Sequence, residues 1–403
     1  MKIAIIGGGA AGFFSGISAK ENFPSAEVTI FEKSRQLLSK VEISGGGRCN
    51  VTNACETIDE LCTAYPRGGR SLKKAFYIFN NNDTIEWFES RGVPLLIQDD
   101  NRVFPESQSS QTIVDCFLSE TRKSGIEIEL GSEIKKIEQI DDFWSIWINK
   151  ETEPRIFDKV IVATGGSPQR SGLIWLEALG HKIENPVPSL FTFKMPAELI
   201  TKLSGISVEN TIVSIQGTKL KAEGPLLITH FGMSGPAILL LSSFGARILS
   251  EMNYKFKIQV NWANESNNDL VLEQLRSIAE EHSGKLLSNY RPFALSSRLW
   301  LYLLEKCEFP ETKLWVELGK KGLHKLTNIL TNDEYTVNGR TTFKEEFVTC
   351  GGVSLQSVDM NTMQSKVCKN LYFAGEVLDI DGITGGYNFQ AAWTTGFIAG
   401  KLG

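Results

Sequence analysis

The sequence predicts an α/β protein: an open parallel sheet with covering helices, interrupted by an inserted domain of β-barrel and helical character. Three observations predict it. A buried-strand run, Lys2–Ile6, passes into Gly7-Gly8-Gly9-Ala10-Ala11-Gly12, then into a helical stretch and a second strand. The C-terminal stretch Ala374–Gly403 reads as strand end, loop and closing helix. Between these ends, from Leu190 to about Asn338, that rhythm stops.

Each part of the opening has a mechanical reason. Gly7 permits a tight turn, Gly9 lets the backbone approach a pyrophosphate, and Gly12 lets helix and strand pack closely. Phe13–Asn22 continues helically, and Glu27–Phe31 is a strand ending at Glu32, twenty residues after Gly12. Strand, GxGxxG, helix, strand and acid in this order make a Rossmann-like dinucleotide unit, with Glu32 placed for ribose hydroxyls. A carboxylate there would repel a 2′-phosphate, so the unit suits FAD or NAD better than NADP unless Lys33 faces the ribose.

The run Lys40–Asn53 (KVEISGGGRCNVTN) reads as a loop that can lie against a flat ring. Arg48, after Gly45, Gly46 and Gly47, can meet a phosphate or the electron-rich pyrimidine edge of a flavin. Asn50 and Asn53 supply amide donors and acceptors. Cys49 lacks a CxxC partner and reads as a small buried thiol rather than a redox group.

Ser71–Glu89 is an amphipathic helical stretch whose Phe76, Phe79, Ile85, Trp87 and Phe88 read as core. Asn101–Pro105 reads as the end of a hairpin, Thr112–Lys123 as a helix and Ile126–Glu129 as a strand, after which Ser132–Ile134 would pass an adenine. Lys135–Ile140, Phe143–Asn149 and Arg155–Ala163 form a β-meander. Its last run ends in Ala163-Thr164-Gly165-Gly166, returning backbone towards the dinucleotide.

Pro186 and Pro188 mark a change of character. The insert is placed at 190–338, β-rich over 190–262 (strands at Ile206–Gln216, Lys219–Glu223 and Tyr254–Trp262) and helical over 263–338 (Asp269–His282, Ser296–Leu304, Thr312–Leu330). Thr229–Pro236 (THFGMSGP) is a shaped loop before an apolar helix. His230 in it is either a proton donor to substrate or a local hydrogen-bonding residue. No second GxGxxG marks a separate nicotinamide domain. Phe343–Cys350 then reads as a strand, Gly351–Val353 as a turn, and Asn370–Ala374 as the strand feeding the closing loop. The first domain is therefore discontinuous, 1–189 and 339–403.

In the closing stretch, Gly386–Asn388 would start the last helix, where unpaired N–H groups and the helix dipole attract an anion or an electron-rich oxygen. Ala391, Ala392, Thr395, Gly396, Ala399 and Gly400 give that helix a small-residue face for close packing.

Composition sets bounds. A chain of 403 residues implies two or three domains. A net charge of −5 argues against a general nucleic-acid or anionic-membrane partner. No apolar run reaches the ~18 residues of a membrane span, and no signal peptide is visible. Seven cysteines at irregular spacing read as a reduced, cytoplasmic set, and the scattered histidines predict no metal site.

The segments IIGGGAAG, SGGGRCNVTN, RVFPES, VATGG, THFGMSGPAIL, TCGGVSL and LYFAGEVLDIDGITGGYNFQAA together resemble the YhiN/BaiN-like family of bacterial FAD-dependent flavoproteins. They spread from Ile5 to Ala392, with Asn101 and Cys350 as departures where relatives often carry Gly and Thr. The resemblance implies a glutathione-reductase-like FAD domain carrying an inserted β-barrel and helical portion, with non-covalent FAD.

Residues and resemblance together give these candidate cofactor contacts. Gly7, Gly9, Ala11 and Gly12 come from the first turn, and Glu32 and Lys33 from the second strand end. Lys40, Gly47, Arg48, Cys49 and Asn50 come from the glycine run, followed by Ile134 and then Ala163, Thr164 and Gly165. Gly375, Glu376, Gly385, Gly386, Tyr387 and Asn388 complete the set. The expected activity is hydride transfer from NAD(P)H through FAD to a small apolar, carbonyl-conjugated acceptor, since one branch of the family reduces enones of oxo-bile acids. His230, Tyr387 and Arg48 are the catalytic candidates. The expected partner is a small molecule, with no nucleic acid or membrane, on a monomer or homodimer. Alternatives are a flavin-binding regulatory protein and a flavin-dependent nucleic-acid modifier, for which Arg70–Lys74 (RSLKK) is the nearest basic cluster.

Overall fold

Lys2–Ile6 is apolar on both faces beyond its first residue, and a strand of that kind belongs at the centre of a covered parallel sheet. In the computed structural model, which describes residues 1–149, 151–341 and 348–403, it sits there. Parallel neighbours flank it: Glu27–Glu32 and then Glu127–Leu130 on one side, Lys159–Val162 and then Leu371–Phe373 on the other. The short strands Gln364–Ser365 and Val358–Asp359 extend that second edge antiparallel.

The chain divides into two compact units, Met1–Ser189 with Phe343–Gly403, and Leu190–Thr342. In the first, helices Ala10–Asn22 and Tyr387–Gly400 pack backbone against backbone. A β-carbon on Gly396 would stand 2.9 Å from Ala11 O, and one on Gly400 2.6 Å from Ser15 O. The small-residue face is therefore a packing surface. Around the seam, Phe13, Phe14, Trp87, Phe88, Phe117 and Trp393 interlock edge-to-face and tilted. Phe76, Phe79, Trp87 and Phe88 are all core.

Several elements differ from the sequence reading. Ser71–Glu89 is two helices, Gly69–Phe76 and Asn81–Glu89, because Asn80 and Asp83 form a reciprocal capping box that starts the second. The meander's third strand stops at Phe157, and Lys159–Val162 joins the parallel sheet. Asp158 makes the change of sheet by exchanging backbone and side-chain bonds with Lys2. Gly351–Val353 is no turn: Val348–Val353 is a strand pairing antiparallel with Ile183–Ser189. The rest of the predicted strand Phe343–Cys350, residues 343–347, lies outside the described residues.

In the second unit, a seven-stranded sheet runs in the order Asp333–Asn338, Lys255–Asn261, Ser207–Ile215, Lys221–Thr229, Gly232–Ser234, Thr192–Lys194, Arg340–Thr341. Its two outermost strands are consecutive in the chain. Gly339 between them donates to Tyr254 O (2.7 Å) and accepts from Lys194 N–H (3.0 Å), so one stretch of backbone holds both edges. Asp333–Asn338, read within the helical portion, is a strand with alternating burial. Helices Asn268–Glu281, Ser297–Lys306 and Gly319–Thr331 carry the apolar side chains of this unit's own core. The last begins later than its apolar period suggests, because Trp315–Leu318 forms a separate 3-10 turn.

Candidate dinucleotide site

Five neighbouring parallel strands end at one edge of the first unit's sheet, and the candidate residues collect there. Such an edge is where open α/β sheets bind ligands. Gly7 leaves the first strand with φ +117°, and a β-carbon on it would lie 2.3 Å from Ala163 O. One on Gly12 would lie 1.9 Å from Gly7 O. Both glycines are demanded by the chain's own packing. Gly9 is not: its φ of −97° suits any residue, and nothing stands within 4 Å of where its β-carbon would be. Space has been kept there beside the first-turn N–H groups of Ala10–Asn22.

Glu32 is fixed by its own strand end. One carboxylate oxygen accepts from Gly8 N–H (2.8 Å) and the other from Ser34 N–H (2.8 Å). Gly131 N–H reaches Ser34 O (3.0 Å) and Ser132 N–H reaches Glu32 O (2.9 Å), which brings the segment leading to half-buried Ile134 beside Glu32. Lys33 is exposed. Across the sheet, Glu376 accepts from Lys40 Nζ (2.6 Å) and from Thr349 N–H (2.8 Å). Gly375, with φ +76°, leaves 2.7 Å between its missing β-carbon and Ala11 Cβ, and its N–H donates to Thr395 Oγ1 (2.8 Å). Thr164 is exposed beside Gly165, another position with open space in place of a side chain.

The glycine run begins as helix Ser39–Gly47 and breaks at Ser44, where Gly45 and Gly46 turn left-handed. The predicted loop is thus half helix. Arg48 donates to Gly45 O (3.1 Å) and to Gln108 Oε1 (3.3 Å), and its guanidinium lies 4.3 Å from the centre of the Phe104 ring. Cys49 is fully buried, and burial pushes its thiol up to about 12, so at neutral pH it stays protonated and a poor nucleophile. Asn50 ties the run to the last helix. In the orientation its neighbours allow, its amide nitrogen donates to Thr52 O (3.0 Å) and its oxygen accepts from Gly386 N–H (3.1 Å).

Gly386 is pressed onto Thr52, where a β-carbon would stand 2.4 Å from the carbonyl oxygen. Asn53 Nδ2 reaches Gly385 O (3.3 Å). The Asn388 side chain turns back onto its loop, with Oδ1 accepting from Gly382 N–H (2.8 Å) and Nδ2 donating to Gly382 O (2.9 Å). What this helix start offers a ligand is therefore backbone N–H from its first turn. Tyr387 is half-buried, and burial raises its phenol to about 12. Helical contacts run in the same sense, Ala11 with Gly396 and Ser15 with Gly400, so both N-termini point the same way. Counting residues from those contacts puts the last helix's start roughly 12 Å beyond the first's, at 1.5 Å per residue.

The remaining catalytic candidate is His230. It is exposed between Lys221–Thr229 and Gly232–Ser234 in the second unit, its ring 3.9 Å from that of Phe231.

Sequence reasoning missed the polar groups beneath the closing loop. Asp381, fully buried, accepts from Arg67 Nε (2.6 Å), from Arg67 Nη2, and from Ser189 Oγ (2.8 Å). Gln390, also fully buried, accepts from Thr52 Oγ1 (2.6 Å) and Thr84 Oγ1 (2.9 Å) and donates to Thr394 Oγ1 (3.0 Å). The acidic pair in the loop was a visible signal; its partners, more than a hundred residues away in the chain, were not. Among the described residues, no group of three His, Cys, Asp or Glu side chains is arranged to hold a metal, and no helix is long and apolar enough to cross a membrane.

The model of the HI0933-like protein Rossmann domain matches residues 1–402. The chain belongs to the HI0933-like family. It has that family's Rossmann-like, FAD-binding type of α/β fold. It is 28% identical to a 3-dehydro-bile acid delta(4,6)-reductase of Clostridium scindens, over 99% of this chain and 98% of that protein. It is 29% identical to a ribosomal RNA dihydrouridine synthase of Haemophilus influenzae, over 98% of this chain and 96% of that protein. Among solved structures it resembles a 3-ketosteroid delta1-dehydrogenase from Sterolibacterium denitrificans, with a TM-score of 0.51 at 12% identity covering 99% of this chain and 98% of that one. A variant E. coli quinol fumarate reductase matches at 0.51 and 14% identity, over 100% of this chain and 69% of that one.

Proposed function

We propose that this protein binds FAD and uses electrons from NAD(P)H to saturate a carbon–carbon double bond conjugated to a carbonyl group, in a small apolar acceptor. One observation carries the cofactor assignment: Gly9 alone among the fingerprint glycines is not required by the chain, and the room it leaves lies at a helix start beside Glu32. The open positions at Gly9 and Gly165 fit a pyrophosphate approaching two backbones, and Glu32, pinned by two amides, fits a ribose diol. When bound, FAD supplies the two-electron chemistry, accepting reducing equivalents from the nicotinamide and delivering them to the acceptor.

The chain's own residues supply placement and charge. The N-terminus of Tyr387–Gly400, set by Asn50 and Thr52, offers N–H groups and positive dipole to negative charge gathering on a ring edge. Tyr387, held protonated by burial, is the candidate to give the proton that carbonyl-conjugated reduction requires. Arg48, turned onto Phe104, shapes the rim. We read the second unit's sheet, whose edges one strand segment joins, as the inserted barrel.

The relatives support the acceptor class. A bile-acid delta(4,6)-reductase and a dihydrouridine synthase both saturate double bonds beside a carbonyl. A second reading, with a uracil ring of RNA as acceptor, draws on the latter name and on helix Gly319–Thr331, which exposes Lys320, Lys321 and His324. The test is anaerobic stopped-flow mixing of FAD-reconstituted protein with NADH and with NADPH. The expected result is rapid bleaching of the flavin band with one of them; a flavin left oxidised by both overturns the donor. The bleached protein is then offered a 3-oxo-Δ4 steroid and a ribosomal RNA fragment. Reoxidation by the steroid alone supports the first reading, and by the RNA alone the second.

A further inference from the structure

The loop before the last helix is attached along its whole length to two other parts of the first unit. The segment Ala64–Gly68 runs beside it. Ile383 N–H donates to Ala64 O (2.9 Å), Tyr65 Oη donates to Tyr387 O (2.6 Å), and Gly68 leaves 2.7 Å between its missing β-carbon and Ile380. Arg67 pairs with Asp381 through backbone and side chain. The second attachment is the two-stranded stem, Ile183–Ser189 paired with Val348–Val353. Ser189 ends its first strand, after which the chain passes into the second unit. The loop touches both strands of this stem. Asp379 N–H donates to Val353 O (2.9 Å), and a β-carbon on Gly352 would meet Val377 O at 2.4 Å. Asp381, from the middle of the loop, accepts from Ser189 Oγ at 2.8 Å.

We propose that Arg67, Asp381 and Ser189 form a coupling node that carries occupancy of the cofactor site to this stem. The chemistry favours common movement. Asp381 is fully buried and the Arg67 side chain is one-tenth exposed, so parting the two would strand a charge away from water. The Ser189 hydroxyl is bound to the same carboxylate. A ligand that orders the Gly386 helix start therefore orders the loop, and the loop fixes the stem at Ser189 and at Val353. The three are positioning residues, acting through the loop and the stem. The proposal rests on the FAD reading above.

Hydrogen exchange followed by mass spectrometry, on the full chain with and without saturating FAD, tests it. In the wild type, FAD slows exchange both in the first turn, Gly8–Gly12, and in the stem strand Ile183–Ser189, which the loop reaches through Ser189. In Ser189→Ala, which removes one hydroxyl and leaves the ion pair, first-turn protection persists while the FAD-dependent protection of the stem falls by about fivefold or more, the low end of usual coupling between sites. Asp381→Asn gives a larger loss where it folds; where it does not, Ser189→Ala carries the test. Equal stem protection in wild type and Ser189→Ala overturns the node. So does a wild-type stem that FAD never protects while the first turn is protected. A first turn unprotected in the wild type overturns the FAD reading and the node with it.

Discussion

The seam between helices Ala10–Asn22 and Tyr387–Gly400 and the rim at the ends of the parallel strands are both lined by glycine, yet an added methyl group would meet opposite surroundings. In the seam, and in the first turn behind it, it would strike backbone: Gly7 O at 1.9 Å from Gly12, Ser15 O at 2.6 Å from Gly400. On the rim, at Gly9, Gly46 and Gly165, it would meet nothing within 4 Å. Seam glycines answer to the protein's own packing. These three rim glycines leave room for something the chain does not supply.

The largest effect should come from Gly12→Val, which drives a side chain into the first turn. We expect a loss of roughly 3 kcal/mol or more of stability, the upper end of overpacking costs, read as failure to give a cooperative thermal transition. Gly400→Val should cost somewhat less, about 1–3 kcal/mol, because the Ser18 side chain is among the atoms in its way. Flavin binding should survive in folded Gly400→Val. A fully stable Gly12→Val protein would break the distinction.

Gly46→Ala probes the rim. Its φ of +69° strains any side chain, so about 1 kcal/mol is expected, with FAD affinity little changed by a single methyl. A cost above that of Gly400→Val would reverse the order of the two regions. The smallest effect concerns Cys49, which lies among rim residues but is closed to solvent. With its thiol pushed up to about 12, it should resist iodoacetamide at pH 8 in the native protein and react only after unfolding, as peptide mass mapping would show. Native labelling at Cys49 would mean that the rim opens further than described.

The parts of the fold legible in the sequence were those with short-range causes. Lys2–Glu32 could be read because strand, turn, helix and acid follow one another within one unit. The close-packing face of the last helix could be read because small residues recur at helical spacing. The split of Ser71–Glu89 was hidden by a capping box whose Asn80 and Asp83 looked like ordinary surface polar residues. The direction of Arg48 could not be read either, since it is set by Phe104, a partner that only folding brings near. The Arg67–Asp381–Ser189 cluster spans more than three hundred positions, and no spacing rule reaches that far.

The central claim is that the space at Gly9 is kept for FAD, and Gly9→Val tests it most directly. Because Gly9 is extended and unobstructed, apo-protein stability should change by no more than about 0.5 kcal/mol. FAD affinity, titrated by the quenching of flavin fluorescence, should fall on the order of a hundredfold or more, about 2.7 kcal/mol. A Gly9→Val protein that melts with the wild type and takes up no flavin is the predicted result. A variant that melts with the wild type and binds FAD equally well would contradict the account.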